Sequence, residues 1–192
     1  LDPATSDGLF VFTSTTPTVN VGDDVLVDGT VAEFRPGNDP VNLTTTELTA
    51  PQVTVQATGV TPPVTLVGPG GRTGPPTIIE DDATGDVENS GVFDLATDGI
   101  DFYESLEGMH LELQDVVATG PRSGFGEIPV LPANGAGAGV RTNRGGILLR
   151  SNDTHPEPIF RGDVLAPTPV MAVRDTLPGS RFGVLDNSFG NF

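Results

Sequence analysis

The chain has 192 residues, 26 of them acidic against nine arginines and no lysine, for a net charge of −17 at pH 7. A surface of that sign repels phosphate backbones and anionic membranes, so general nucleic-acid and membrane-surface binding is disfavoured. The absence of cysteine excludes disulfide frameworks, thiolate metal sites and cysteine nucleophiles.

No apolar run approaches the roughly 20 residues needed to cross a bilayer as a helix, and no signal peptide or initiating Met is present, which reads as a mature or excised piece. Length allows one large β domain or two small ones, either able to bury a core; two are expected. Aspartate predominates over glutamate, which suits a protein kept soluble in salt or one that meets divalent cations.

In chain order, apolar residues follow a two-residue period between Gly, Pro, Asn and Asp clusters, and no segment holds a helical period for long. The expected fold is all-β with little helix. Leu9 to Thr13 reads as a short strand, Val25 to Phe34 as a longer one with a bulge or bend at Gly29, and Gln52 to Ala57 as a third. The breaker-rich stretch 68–76 reads as loop. Glu80 to Asp101 is an acidic connector with the apolar anchors Val92, Phe93 and Leu95, giving three parts: a first β module over 1–79, the connector over 80–101, and a second module over 102–192. The second set of strands is expected at Met109 to Ala118, Ile128 to Leu131, Gly146 to Arg150, Val164 to Val173 and Phe182 to Leu185, with a turn or two of helix around Phe102 to Leu106. A faint repeat lays residues 21–31 over 106–116, consistent with two related modules.

The segments Asp98 to Met109, Phe125 to Leu131, Gly137 to Thr142 and Gly183 to Phe192 together resemble the non-catalytic β-rich region of secreted bacterial nucleases of the endonuclease/exonuclease/phosphatase type. The resemblance runs along most of the chain and is thinnest over 60–90. It implies two OB-like β-barrel or sandwich modules in tandem, an extracellular location, and a catalytic domain that would follow rather than lie within these residues. In such nucleases the first module has opening strands upstream of the segment matching Leu1. The expectation is therefore a first module with an unpaired edge, which a strand from another copy can fill. Head-to-tail filling of this kind builds filaments. Candidate assembly residues are Leu9, Phe10, Val11 and Phe12 at one end and Phe182, Phe189 and Phe192 at the other.

The alternative implied by the resemblance is a substrate-positioning module that meets single-stranded nucleic acid or phosphate when joined to a nuclease domain. The stacking aromatics and basic groove that such a face requires are scarce here, with one Tyr and no Trp. Seven of the nine arginines do follow residue 120, and Arg141, Arg144, Arg150 and Arg161 are the candidate anion-binding set; pairing with neighbouring Asp and Glu is the competing reading.

Catalysis is not expected. His110 alternates with Met109 and Leu111 on a strand and reads as facing the polar side, and His155 reads as a solvated loop residue, with Asp153 its one potential acid/base partner and no nucleophile evident. Carboxylates offer a better case for a hard cation bound by oxygens: Asp94, Asp98 and Asp101 around Gly99 form the candidate calcium site, and Glu80, Asp81, Asp82, Asp86 and Glu88 a second acidic cluster. The Gly-rich run 135–139 reads as a flexible β connection rather than a nucleotide loop. Asn42 and Asn152 fit the N-glycosylation pattern, and Thr13 to Thr18 is a Ser/Thr/Pro tract suited to O-linked sugars.

Overall fold

A computed structural model describes residues 2–39, 42–187, 190 and 192. The fold is all-β and consists of two sheets, the second curled into a half-barrel. Among the described residues no helix is long and apolar enough to cross a membrane.

The first sheet has the order β1-β3-β2, with β1 at Phe10–Val11, β2 at Asp24–Phe34 and β3 at Thr45–Ala57. β2 and β3 pair antiparallel, placing Val25 opposite Val55 and Val27 opposite Val53, and β1 runs parallel to β3 through only two residue pairs. Register slips between Asp28 and Thr30, so Gly29 forms the expected bulge. A side chain at Gly29 would lie 3.0 Å from the Thr49 carbonyl oxygen, so the close approach of β3 favours a residue without Cβ. This sheet hides little of itself: Glu47 is its buried residue, with Leu43 just before β3, whereas Leu26, Val31 and Phe34 are all more than half exposed.

The second sheet holds β4 at Thr65–Val67, β5 at His110–Ala118, β6 at Ile128–Leu131, β7 at Ile159–Arg161 and β8 at Thr176–Val184. β5 is its spine. β8 pairs along one side of it, while β4 and then β6 pair along the other, and β7 pairs with β6. Register slips again between Gln114 and Val116, where Asp115 adopts a left-handed φ of 47° and its Oδ1 accepts the Gly179 amide at 2.7 Å. The bulges of β2 and β5 thus fall one residue apart in the faint repeat.

The core belongs to this half. One cluster gathers Val67, Leu106, Leu111 and Ile159 with Phe102 and Tyr103 from α1 (Gly99–Glu104) and its exit. A second gathers Val116, Ala118, Ile128, Val130 and Met171. The spacing of Phe102, Tyr103 and Leu106 puts all three on one side of a helical turn, which is why so short a helix persists: its tertiary contacts hold it.

Several expectations change. The second sheet takes in β4, within the span assigned by sequence to the first module, so the structural division falls near residue 65. Residues 146–150 and 164–173 are not strands; the first stretch makes only isolated bridges, and Val164, Leu165 and Val170 are exposed. Pro167 and Pro169 each remove a ladder donor, so an apolar run there does not build a strand. The connector is held by polar contacts rather than by its expected apolar anchors, of which Val92 and Phe93 are exposed: the Glu88 carboxylate accepts the Thr44 amide and hydroxyl and pairs with Arg35, while Gly99 and Ile100 donate to the carbonyls of Ile78 and Ile79.

Candidate functional site

A cleft of about 1090 Å³ runs along the open side of the half-barrel. The inward side chains of β5, namely Leu111, Leu113 and Val116, line it together with Val130 of β6, and two strands at the margins of the sheet, β7 and β8, face it with Arg161 and Arg181. Alternation on β8 explains the division: Arg181 and Gly183 turn inward as Phe182 and Val184 turn outward, 60% and 55% exposed.

Among the described residues, Arg161 differs from the other arginines in having a guanidinium nitrogen, Nη1, that is buried without a hydrogen-bond partner. Neither it nor Arg181 makes an ion pair among the described residues. Burial and then the like charge of Arg181 pull the Arg161 guanidinium below its ordinary pKa. Arg181 is steadied by its own strand, donating from Nη1 to the Ser180 carbonyl and from Nη2 to that of Pro178, both at 2.9 Å.

The other end of the cleft is acidic and lies where the two sheets meet. Ser6 Oγ donates to the Glu107 carbonyl, and Thr45 Oγ1 donates to Glu107 Oε1 at 3.1 Å. Glu104 Oε1 is buried and unpartnered. Burial, followed by the charges of Glu107, Glu88, Asp101 and Glu33, pushes the Glu104 carboxyl up to about 8. Burial also raises Glu107 and Asp186.

The candidate anion set does not assemble. Arg161 lines the cleft, but Arg141, Arg144 and Arg150 sit on the 140–150 loop outside it. Arg141 spends its donors locally, on the carbonyls of Gly145 and Asn134. Arg181, which the sequence reading did not single out, stands with Arg161 instead; its alternation with Gly183 and Leu185 was the available signal.

The candidate calcium residues are close in space but engaged. Asp98 is 2% exposed, and its carboxylate accepts the Asp81 amide at 3.1 Å and the Thr97 hydroxyl at 2.8 Å. Asp101 accepts the Asp94 amide at 2.6 Å, and Asp94 accepts that of Ala96 at 2.8 Å. These bonds fix the turn that leads into α1. Among the described residues, no group of three or more His, Cys, Asp or Glu side chains is arranged to hold a metal ion.

His155 is not solvated. It is buried, with Nε2 at 2.7 Å from the Leu148 carbonyl and Nδ1 at 3.3 Å from Asp153 and 3.4 Å from Glu157. Glu157 also accepts the Gly139 amide at 2.6 Å, so the cluster pins the Gly-rich connection to the sheet. His110 is half-buried, its ring 5.8 Å from that of Phe182.

Of the assembly candidates, Leu9, Phe10 and Phe12 are about half exposed and Val11 is half-buried. Phe182 is exposed, but Phe192 is not available as a donor: its ring stacks on Tyr103 at 5.3 Å and its carbonyl accepts the Phe160 amide at 2.7 Å. Phe189 lies outside the described residues. Asn152 is exposed, whereas the side-chain nitrogen of Asn42, the atom a glycan would occupy, donates to the Pro36 carbonyl at 2.9 Å.

No curated protein sequence and no solved structure matches the chain. A family model described as a domain of unknown function (DUF8508) matches residues 66–192. That span begins at β4 and takes in both core clusters and both arginines of the cleft, leaving the first sheet outside it. With about two-thirds of its length matched, the chain belongs to the DUF8508 family.

Proposed function

We propose that the chain is a non-enzymatic, extracellular structural protein that associates with other copies of itself by exchanging its first strand. The observation that carries this reading is the first sheet. β1 is attached to β3 by two residue pairs and the bond from the Phe12 amide to the Leu48 carbonyl at 2.9 Å, while Leu9, Phe10 and Phe12 leave about half their surface in water. On the far side of β3, β2, eleven residues long, has an outer edge without a strand neighbour among the described residues. A small, weakly buried sheet gains stability when further apolar surface is covered, and strand exchange keeps the same main-chain bonds while joining copies. Residues 12–23 lack regular structure and serve as the hinge. Exchange from copy to copy in one direction does not close and extends into a filament. The non-enzymatic part of the proposal is supported by the histidines, neither of which lines the cleft.

The absence of native cysteine makes a direct test possible. Val11 and Leu48 are paired positions on β1 and β3, so a Val11→Cys copy mixed with a mass-tagged Leu48→Cys copy forms a Val11-to-Leu48 disulfide only if β1 crosses between molecules. Electron microscopy of the same mixture should show elongated particles. Failure to form the mixed disulfide, with a doubly substituted chain cross-linking only within itself, would overturn the proposal.

A further inference from the structure

The two arginines of the cleft call for a ligand that the chain itself does not supply. With 26 carboxylates against nine arginines, any Arg on this protein has abundant potential partners. Among the described residues Arg35 and Arg122 are the only ion-paired arginines, and Arg72 and Arg141 spend their donors on carbonyl and hydroxyl oxygens. Arg161 and Arg181 instead stand near enough to repel one another, and a guanidinium nitrogen of Arg161 is buried with nothing to receive its protons. A buried donor without an acceptor and two adjacent like charges both work against folding. A bound oxyanion removes both costs together, and guanidinium geometry suits it.

The rest of the wall describes the remainder of the ligand. Over a buried floor of Leu111, Val130 and Ile159, the apolar side chains that keep accessible surface in the cleft include Leu113, Phe10, Phe160 and Leu165. These offer an oxyanion's polar solvation shell nothing, but they cover an apolar body well. Of the cleft's carboxylates, Glu107 is held near the first sheet by Thr45 and the Ser6 contact, with Glu104, Asp7 and Asp186 also lining the cleft, while Asp163 is paired with Arg122 and Glu127 is bonded to Ser123. A ligand with two separated negative groups is therefore disfavoured. We propose that the half-barrel cleft binds a small amphipathic carboxylate, its charged head held between Arg161 and Arg181 and its hydrocarbon body against the accessible apolar side chains of the cleft, Leu113 and Leu165 among them.

Octanoate is the probe, compared at constant ionic strength with octanol, which lacks the charge, and with inorganic phosphate, which lacks the body. Titration calorimetry and thermal unfolding of the whole chain should show saturable binding and a raised Tm with octanoate only. Arg161→Gln and Arg181→Gln should each weaken octanoate by about tenfold or more, whereas Arg174→Gln, exposed and outside the cleft, should leave it unchanged. Without ligand, Arg161→Gln should raise Tm by about 2–4 °C, because a buried unpaired charge is gone. Equal protection by octanol, equal protection by phosphate, or octanoate affinity within about twofold of wild type in both cleft variants would overturn the proposal, as would no saturable binding up to about 10 mM. The exchanged segment lines one end of the cleft through Leu9 and Phe10, but the arginine variants leave that segment unchanged and the mixed disulfide is read without octanoate, so failure of either proposal is seen on its own.

Discussion

Gly8 and Gly108 meet backbone to backbone where the first sheet's leading segment crosses the entrance to β5. A Cβ built on Gly8 would lie 2.2 Å from the Gly108 carbonyl carbon and 2.5 Å from the Glu107 carbonyl oxygen, and Gly108 itself holds a left-handed φ of 71°. Both atoms are main chain and cannot swing aside. The two sheets approach this closely because neither residue has a side chain.

Gly8→Ala should therefore loosen the first sheet from the second. The expected cost is about 1–3 kcal/mol, read by urea unfolding, together with faster proteolysis within residues 1–57 than within 66–192. Equal protection of both spans would show that the crossing does not hold the sheets together.

The second half should carry most of the stability. Leu106 is fully buried in the first core cluster, so Leu106→Ala is expected to cost about 2–5 kcal/mol. Val31 is 66% exposed on β2, and Val31→Ala should stay within about 0.5 kcal/mol in the monomer. Chemical denaturation of both variants tests the contrast, and a comparable loss in each would refute it.

Stability should fall as pH rises from about 4.5 toward 8. Glu104 titrates at 4.5 in the unfolded chain and at about 8 when folded, so folding favours its protonated form. That contribution is fully present below the unfolded value and is lost as pH climbs through the folded one. The total change is about 5 kcal/mol at most. Glu104→Gln should flatten the slope, leave stability at pH 4 close to wild type and raise it at pH 9. Some slope should survive, since burial raises Glu107 in the same direction. An unchanged pH profile in Glu104→Gln would remove this residue from the account.

His155→Ala should destabilise the chain by about 2–4 kcal/mol, because it leaves Asp153 and Glu157 facing each other in a buried site and frees the Leu148 carbonyl. Amide exchange should accelerate over the 139–155 connection before the β5 spine. Uniform acceleration would instead assign His155 to the global core.

The longer strands were legible because their period of two runs far enough to be seen. β5 alternates Leu111 and Leu113 inward, and the bulge at Gly29 followed from a glycine inside a strand pattern. β4 and β7, three residues each, carry no period, and their place comes from neighbours: β4 from parallel pairing with β5, β7 from β6. The run 164–173 was apolar enough to suggest a strand, yet its prolines leave too few donors to pair. His155 was misplaced for a related reason, since a polar loop sequence does not reveal that two buried carboxylates wait beside it.

Composition and short-range pattern alone determined that this is an all-β protein of high negative charge without thiol chemistry, because backbone periodicity, turn residues and charge are local properties. Tertiary structure alone decided that the core gathers in the half matched by the family, that Arg161 and Arg181 share an apolar cleft without a counterion, and that the candidate carboxylates serve backbone amides. Those facts depend on which distant residues sheet closure brings together, and Arg161 and Arg181, twenty positions apart in the chain, come together because β7 and β8 both border the cleft of one curled sheet.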